Sequence, residues 1–116
     1  MNFIIRLFIT AAVIFGMSRM IPAVHIDSFT TAVIFSFVLA ILNATVRPLL
    51  ILLTLPITIL TLGIFLFIIN ALIIIIAEKF VGGIRIDGFL WVLLFSLILS
   101  SLSSFLIEMF ESKDED

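Results

Sequence analysis

The amino-acid sequence predicts an all-α membrane protein whose four transmembrane helices form two repeated helical hairpins. Three observations support this prediction: the composition, four long apolar segments, and a match of the chain to itself at a shift of sixty residues. Of the 116 residues, 64% are hydrophobic and 12% are charged, against about 45–50% and about 25% in an average soluble domain. So few charged groups cannot cover a soluble core, and we therefore expect the chain in a lipid bilayer.

The composition also excludes several classes of function. The chain has no cysteine and one histidine, which excludes disulfides, a thiolate nucleophile and metal sites rich in Cys or His. A net charge of −2 without a basic cluster argues against nucleic acid as a partner. The sequence shows no nucleophile–base pair, metal cluster or phosphate-binding loop. We therefore expect a protein that is not an enzyme and that binds no cofactor.

Three of the four apolar segments have the length that a single crossing requires, about 20 residues. The first extends from Phe3 to Met20, with Arg6 near its start. The second, from Ser28 to Val46, and the fourth, from Gly88 to Ile107, contain no charged residue. We expect each of them to form one transmembrane helix.

The uncharged run from Pro48 to Ala77 is too long for one simple span, since a helix of that length reaches about 45 Å against a core of about 30 Å. Pro48 disfavours helical geometry at Arg47, and Pro56 suits the first turn of a new helix. We therefore predict a short interfacial or re-entrant segment over residues 48–55 and a third span from Pro56 to Ala77. A single long helix kinked at Pro56 is the alternative.

A shift of sixty residues aligns His25 to Phe29 with Arg85 to Phe89. The helices that follow then align without a gap, and Phe35-Ser36 falls on Phe95-Ser96. We interpret the match as two hairpins of the same orientation, related by a pseudo-twofold axis along the membrane normal. Coincidence in an apolar sequence is the alternative.

This interpretation predicts a single transmembrane domain over residues 1–107, with repeat halves of about 1–47 and 56–107. Residues 108–116 contain five acids and one base, and we expect a disordered, solubilising tail there. The basic residues do not orient the chain, because four spans place three on each side. We place both termini on the cytoplasmic side, since a pair of hairpins inserts readily that way.

Several polar residues lie within or next to the predicted spans. Asp27 and Asp87 each precede a span, where a carboxylate caps a helix; binding of a cation or proton is the alternative. Asn70 lies within the third span, and we expect it to hydrogen-bond another helix. Arg47 is expected to anchor at the headgroups, with closure onto the acidic tail as the alternative.

Small residues at a spacing of four mark one face of the second and the fourth span. Such a face lets helix backbones approach closely in lipid. We expect packing within the monomer, or alternatively contact of the serine face with other subunits or water. The predicted packing face consists of Ala32, Ser36, Ala40 and Ala44 in the second span and Ser96, Ser100 and Ser104 in the fourth.

Four stretches carry a family resemblance: Asn43 to Leu50, Leu55 to Gly63, Asn70 to Leu72, and Gly83 to Phe89. Through them the chain resembles the four-span holin-like bacterial membrane proteins, of the mycobacterial phage holin superfamily IV type or YvlD type. The resemblance implies a small protein of the bacterial cytoplasmic membrane and carries over no catalytic residue. The signature positions, with the repeat counterpart Asp27, are Arg47, Pro48, Pro56, Gly63, Asn70, Asp87 and Gly88.

Three functional hypotheses follow. The first is a holin-like protein that forms homo-oligomers through its small-residue faces and permeabilises the membrane. The second is a structural or accessory protein of the envelope or of a stress response, acting with other membrane proteins. The third is a small channel or transporter, which we rank last because the span centres contain no ionisable residue. We lead with the first as the most specific statement, with the bilayer and further copies of the chain as partners.

Overall fold

The computed structural model describes the backbone of residues 2–115 and the side chains through Glu111. The elements in chain order are α1 (Phe3–Met20), β1 (Val24–Ile26), α2 (Phe29–Leu53), α3 (Leu55–Leu60), α4 (Phe65–Phe80), β2 (Ile84–Ile86) and α5 (Phe89–Glu115). By length and composition, α1, α2 and the Phe89–Glu111 part of α5 can each cross a membrane. Helix α4 is shorter, with 16 residues.

A two-stranded antiparallel ribbon joins the α1–α2 loop to the α4–α5 loop. His25 lies opposite Arg85 at its centre, and the flanking pairs are Val24 with Ile86 and Ile26 with Ile84. Two further backbone hydrogen bonds of 2.9 Å extend it, from the Asp27 N–H to the Gly83 carbonyl and from the Asp87 N–H to the Ala23 carbonyl. The helical pattern of the sequence does not predict this ribbon.

Helices α1 and α4 each pack mainly against both α2 and α5. The core contains Phe35 and Phe95, which are at most 1% exposed. Burial is concentrated near the ribbon: the last buried residue is Leu42 on α2 and Leu99 on the described part of α5. Both helices continue for about three more turns, and there they enclose space instead of core.

The prediction that the second helix ends before Pro48 is wrong. Helix α2 continues through Pro48 to Leu53, and Pro48 is exposed. A proline inside a membrane helix removes one backbone hydrogen bond, which neighbouring hydroxyls and local adjustments can compensate. The helix ends at Thr54 instead.

The predicted third span from Pro56 to Ala77 is also interrupted. Pro56 does lie in the first turn of a helix, as predicted, but this helix is the short α3, and α4 begins only at Phe65. The turn between them contains Gly63 at φ 89°. The backbone N–H of Gly63 donates to the Thr58 carbonyl at 2.9 Å, which ends α3 in the manner of a Schellman motif. The short segment before the third long helix is therefore 55–60 instead of 48–55.

Leu62 occupies the left-handed position of this turn, with φ 57°, where glycine is usual. A non-glycine residue loses about 1–2 kcal/mol of stability in this conformation. Glycine avoids that strain but costs about 0.5–1 kcal/mol, because it loses more conformational entropy on folding. We expect Leu62→Gly to raise the free energy of unfolding by up to about 1 kcal/mol. Thermal unfolding in detergent measures this change in stability. Ile64→Gly is the control, because Ile64 is right-handed and its replacement should destabilise; equal shifts would contradict the prediction.

The C-terminal residues are helical up to Glu115, whereas we expected a disordered tail from residue 108. Nothing after Gly88 interrupts the helix, because the remaining residues include neither glycine nor proline. The side chains beyond Glu111 lie outside the described part of the chain. The tail thus begins as a continuation of α5.

Candidate functional site

A polar cleft lies between the ends of α1, α2 and α5 that point away from the ribbon. Its main cavity measures about 340 Å³, and a smaller cavity of about 50 Å³ continues between α2, α4 and α5. The two cavities share Leu39, Asn43, Leu99 and Ser100. The polar residues of the cleft are Arg6, Thr10, Ser36, Asn43, Arg47, Asn70, Ser96, Ser100, Ser103 and Ser104.

Arg6 lines the main cavity from the first turns of α1. Its Nη2 lies 3.6 Å from Oε1 of Glu111 on α5. One acid of the tail, Glu111, therefore pairs with Arg6, whereas the predicted alternative was closure onto Arg47, which has no ion pair among the described residues. Both side chains remain partly exposed, so the pair contributes little to stability.

Asn43, Arg47 and Asn70 meet around the smaller cavity, where α2 faces α4. The Arg47 Nη1 donates to the Asn43 Oδ1 at 3.5 Å. Asn43 lines both cavities and therefore connects Arg47 with the main part of the cleft. The amide of Asn70 is half-buried and faces this junction between helices.

The hydroxyl groups of the cleft fall into two kinds. Those of Thr10, Ser36 and Ser96 donate to carbonyl groups of their own helices at 2.8–2.9 Å, which is common for such residues in helices. The Oγ of Ser103 is buried and has no hydrogen-bond partner among the described residues. Leaving a buried hydroxyl unpaired costs about 1–3 kcal/mol.

The predicted packing face divides at the cleft. Ala32, Ser36 and Ser96 are buried inside the helix arrangement. Ala40 is half-buried, while the outer positions Ala44, Ser100 and Ser104 are exposed. The same stripe therefore packs α2 and α5 near the ribbon and lines or borders the cleft farther out.

A second polar cluster lies on the ribbon, at the other end of the helices. Nε2 of His25 lies 2.9 Å from Oδ2 of Asp87, and Nε of Arg85 lies 3.2 Å from Oδ1 of the same carboxylate. Ser28, and not Asp27, caps α2, because its Oγ accepts from the Thr31 N–H. The two aspartates thus differ: Asp87 pairs with two neighbours, and Asp27 faces Gly83.

The contacts of Asp87 predict a pH dependence of stability. The hydrogen bond with His25 lowers the pKa of Asp87 below its ordinary 3.8 against the opposing effect of desolvation, and the charges of His25 and Arg85 lower the pKa further. A lowered folded-state pKa stabilises the protein above pH 3.8, and this contribution disappears as the pH falls through the folded-state value.

Asp87→Asn should therefore lower the unfolding temperature at about pH 6, and the difference from wild type should shrink as the pH falls below 3.8. The effect is small, because the carboxylate is exposed. Asp27→Asn is the control, since Asp27 forms no ion pair among the described residues. An undiminished difference at the lower pH would contradict the prediction.

The remaining signature positions determine the backbone conformation of turns and helix ends. Gly88 adopts φ 95° directly before α5, a conformation that favours glycine. Pro56 is exposed in α3, and Gly63 closes the turn after it. These positions shape the loops and lie outside the polar cleft.

Sequence reasoning missed the pairing of Arg6 with Glu111. The available signal was an arginine one turn inside an apolar span and an acid one turn beyond another, both at the same end of the predicted helices. Nothing in the spacing of Ser103 shows that its hydroxyl is buried without a partner among the described residues. Burial of that kind depends on helix crossing, which the sequence pattern does not specify.

Comparisons with known proteins agree with this architecture. Residues 1–105 match the model of a family described as mycobacterial 4 TMS phage holin, superfamily IV. The chain is 39% identical over 97 residues to the uncharacterized membrane protein YvlD of Bacillus subtilis strain 168, covering 83% of this chain and 82% of that protein.

A second relative is the uncharacterized protein SCO3922 of Streptomyces coelicolor, with 35% identity over 77 residues, 63% of this chain and 62% of that protein. No solved structure matches the chain. The family match extends over nearly the whole chain and includes both the ribbon and the cleft. The chain is therefore a membrane protein that belongs to the mycobacterial 4 TMS phage holin family of superfamily IV.

Proposed function

We propose that this protein is a non-enzymatic, holin-like protein of the bacterial cytoplasmic membrane that self-associates and permeabilises the bilayer. The polar cleft is the observation that supports the proposal. A polar surface of this kind is costly in hydrocarbon, and such groups in membrane proteins face other helices or water. A second copy packed against the outer halves of α2 and α5 covers the cleft and turns it into an enclosed, wet path.

The proposed architecture has four spans arranged as two repeated hairpins, with both termini on the cytoplasmic side. Residues 1–107 form the transmembrane domain, with halves of about 1–47 and 56–107, and residues 108–116 form the tail. The third of these spans is α4, whose 16 residues extend about 24 Å. A crossing this short requires a locally thinner bilayer, at a modest cost per ångström.

Residues sixty positions apart support the repeat. In the ribbon, the two added hydrogen bonds join Asp27 to Gly83 and Asp87 to Ala23, so each bond maps onto the other under the shift. The same shift relates most of the buried residues of the two halves. The buried pairs with the same residue type in both halves are Ala11 and Ala71, Ile14 and Ile74, Phe35 and Phe95, Ser36 and Ser96, and Leu39 and Leu99.

Uptake of an impermeant dye by bacteria tests permeabilisation, with expression from a tunable promoter and another four-span protein at equal level as reference. We expect abrupt uptake above a threshold level, because assembly is cooperative. Ser104→Leu should raise the threshold by replacing a polar group of the exposed face with an apolar one. Phe105→Leu is the matched control, since Phe105 is 60% exposed and does not line the cleft.

Cross-linking in the membrane gives an independent readout of self-association. Wild type and Phe105→Leu should form oligomers, and Ser104→Leu should form fewer. Flat dye uptake at a high level of wild-type protein would rule out permeabilisation. Oligomers unaffected by Ser104→Leu would place the contact elsewhere on the surface.

A further inference from the structure

We propose that the polar cleft binds the phosphate of an anionic phospholipid, with an acyl chain in the apolar groove on the other side of the α1–α5 contact. This inference does not rest on the proposed function, because it concerns the cleft of a single copy before a second copy covers it.

The charges of the cleft favour an anion. Arg6 and Arg47 both line it, and Glu111 is the acid paired with Arg6. That pairing is a single contact of 3.6 Å, so most of the N–H donors of the Arg6 guanidinium remain available. Arginine presents its donors in a planar fork that matches the oxygens of a phosphate.

Neutral donors complete the site. The amide of Asn43 lies between the two arginines, since Asn43 lines both cavities and accepts from Arg47 through its oxygen. That hydrogen bond turns the carbonyl of Asn43 toward Arg47 and leaves its NH₂ group free to donate. The main cavity of about 340 Å³ lies within the range of about 300–1,000 Å³ that is usual for ligand pockets.

The neighbouring groove distinguishes a lipid from a free anion. It measures about 390 Å³ and is lined almost entirely by apolar atoms. Helix α1 presents Phe3, Arg6, Leu7 and Thr10 to the cleft and the intervening residues to the groove, so the two spaces flank the same helix contact. The groove residues are Ile4, Ile5, Phe8, Ile9, Ala12, Leu106 and Phe110.

The depth of the site also fits a phospholipid. Arg6 lies one turn after the start of α1 at Phe3, and arginines near helix ends reach the headgroup region of a bilayer. An anionic phospholipid supplies both a phosphate for the cleft and an apolar chain for the groove.

Native mass spectrometry of the full chain in detergent tests the proposal, with phosphatidylglycerol, phosphatidylcholine and inorganic phosphate as separate probes. We expect the monomer to retain phosphatidylglycerol, and to retain phosphatidylcholine at least about tenfold less. The double variant Arg6→Gln/Arg47→Gln should lose the preference. Arg19→Gln should keep it, because Arg19 stacks on Phe15 near the ribbon.

A second variant separates lipid binding from folding and from simple anion binding. Ala12 is exposed, so Ala12→Phe should leave the unfolding temperature unchanged while it fills the groove and lowers phosphatidylglycerol retention. Equal retention of the two lipids, or loss of the preference in Arg19→Gln, would overturn the proposal. Displacement of the lipid by an equal concentration of inorganic phosphate would also overturn it, in favour of a free-anion site. These readouts use the monomer, so a failure of dye uptake does not affect them.

Discussion

Replacing Gly83 with alanine is expected to lower the free energy of unfolding by about 2 kcal/mol or more, the largest effect that we predict. Gly83 adopts φ 90°, where an alanine is strained. A Cβ at this position would lie 2.8 Å from Oδ2 of Asp27 and 3.2 Å from the side chain of Thr31. The Gly83 carbonyl also accepts the Asp27 N–H, so a shift of the backbone would break the end of the ribbon.

Gly82→Ala is the matched control for this substitution. Gly82 lies next to Gly83, its φ is outside the left-handed region, and a Cβ built there meets nothing within 4 Å. We expect this variant to unfold at the wild-type temperature in detergent, or slightly above it, since alanine restricts the unfolded chain. Equal unfolding temperatures for both variants would show that the ribbon tolerates a side chain at Gly83.

Ala11→Leu is expected to destabilise the protein by about 1–3 kcal/mol through overpacking. Ala11 is 0% exposed in the core where α1 meets its neighbours. Lipid and detergent are as apolar as leucine, so helix association in a membrane depends on close packing more than on removal of apolar surface from water. A larger side chain at Ala11 forces the helices apart and gains little in return.

The adjacent residue provides the control, because Ala12 is exposed on the same helix. Ala12→Leu makes the same chemical change and should leave the unfolding temperature within about 1 °C of wild type. Ala71, which corresponds to Ala11 under the sixty-residue shift, is also 0% exposed. We expect Ala71→Leu to destabilise to a similar extent, and a harmless Ala71→Leu would argue against equivalent packing of the two halves.

The long helices and their order follow from the sequence, because uncharged runs of about twenty residues have few other structures available in a bilayer. The boundaries around Pro48 and Pro56 do not follow. A proline rule derived from local sterics predicts a break at Pro48, but packing against α4 and lipid keeps α2 helical there. The end of α3 depends on a left-handed Leu62, which no residue preference indicates.

The candidate site shows the same division. The spacing of the small residues is a property of the sequence, and three of them, Ala32, Ser36 and Ser96, are buried. The cleft arises where α2 and α5 continue beyond Leu42 and Leu99 without further core. Its depth, and the approach of Glu111 to Arg6, depend on the angle at which helices cross.

The pairing of β1 with β2 has a consequence for the order of events during synthesis. The strands Val24–Ile26 and Ile84–Ile86 have only each other as ribbon partners in the described chain. While the ribosome is still making α4, the backbone groups of β1 can bond only to water or to a strand of another nascent chain. Ribbon closure is therefore a late step of biogenesis, and the interval before it is when two chains emerging side by side can exchange hairpins.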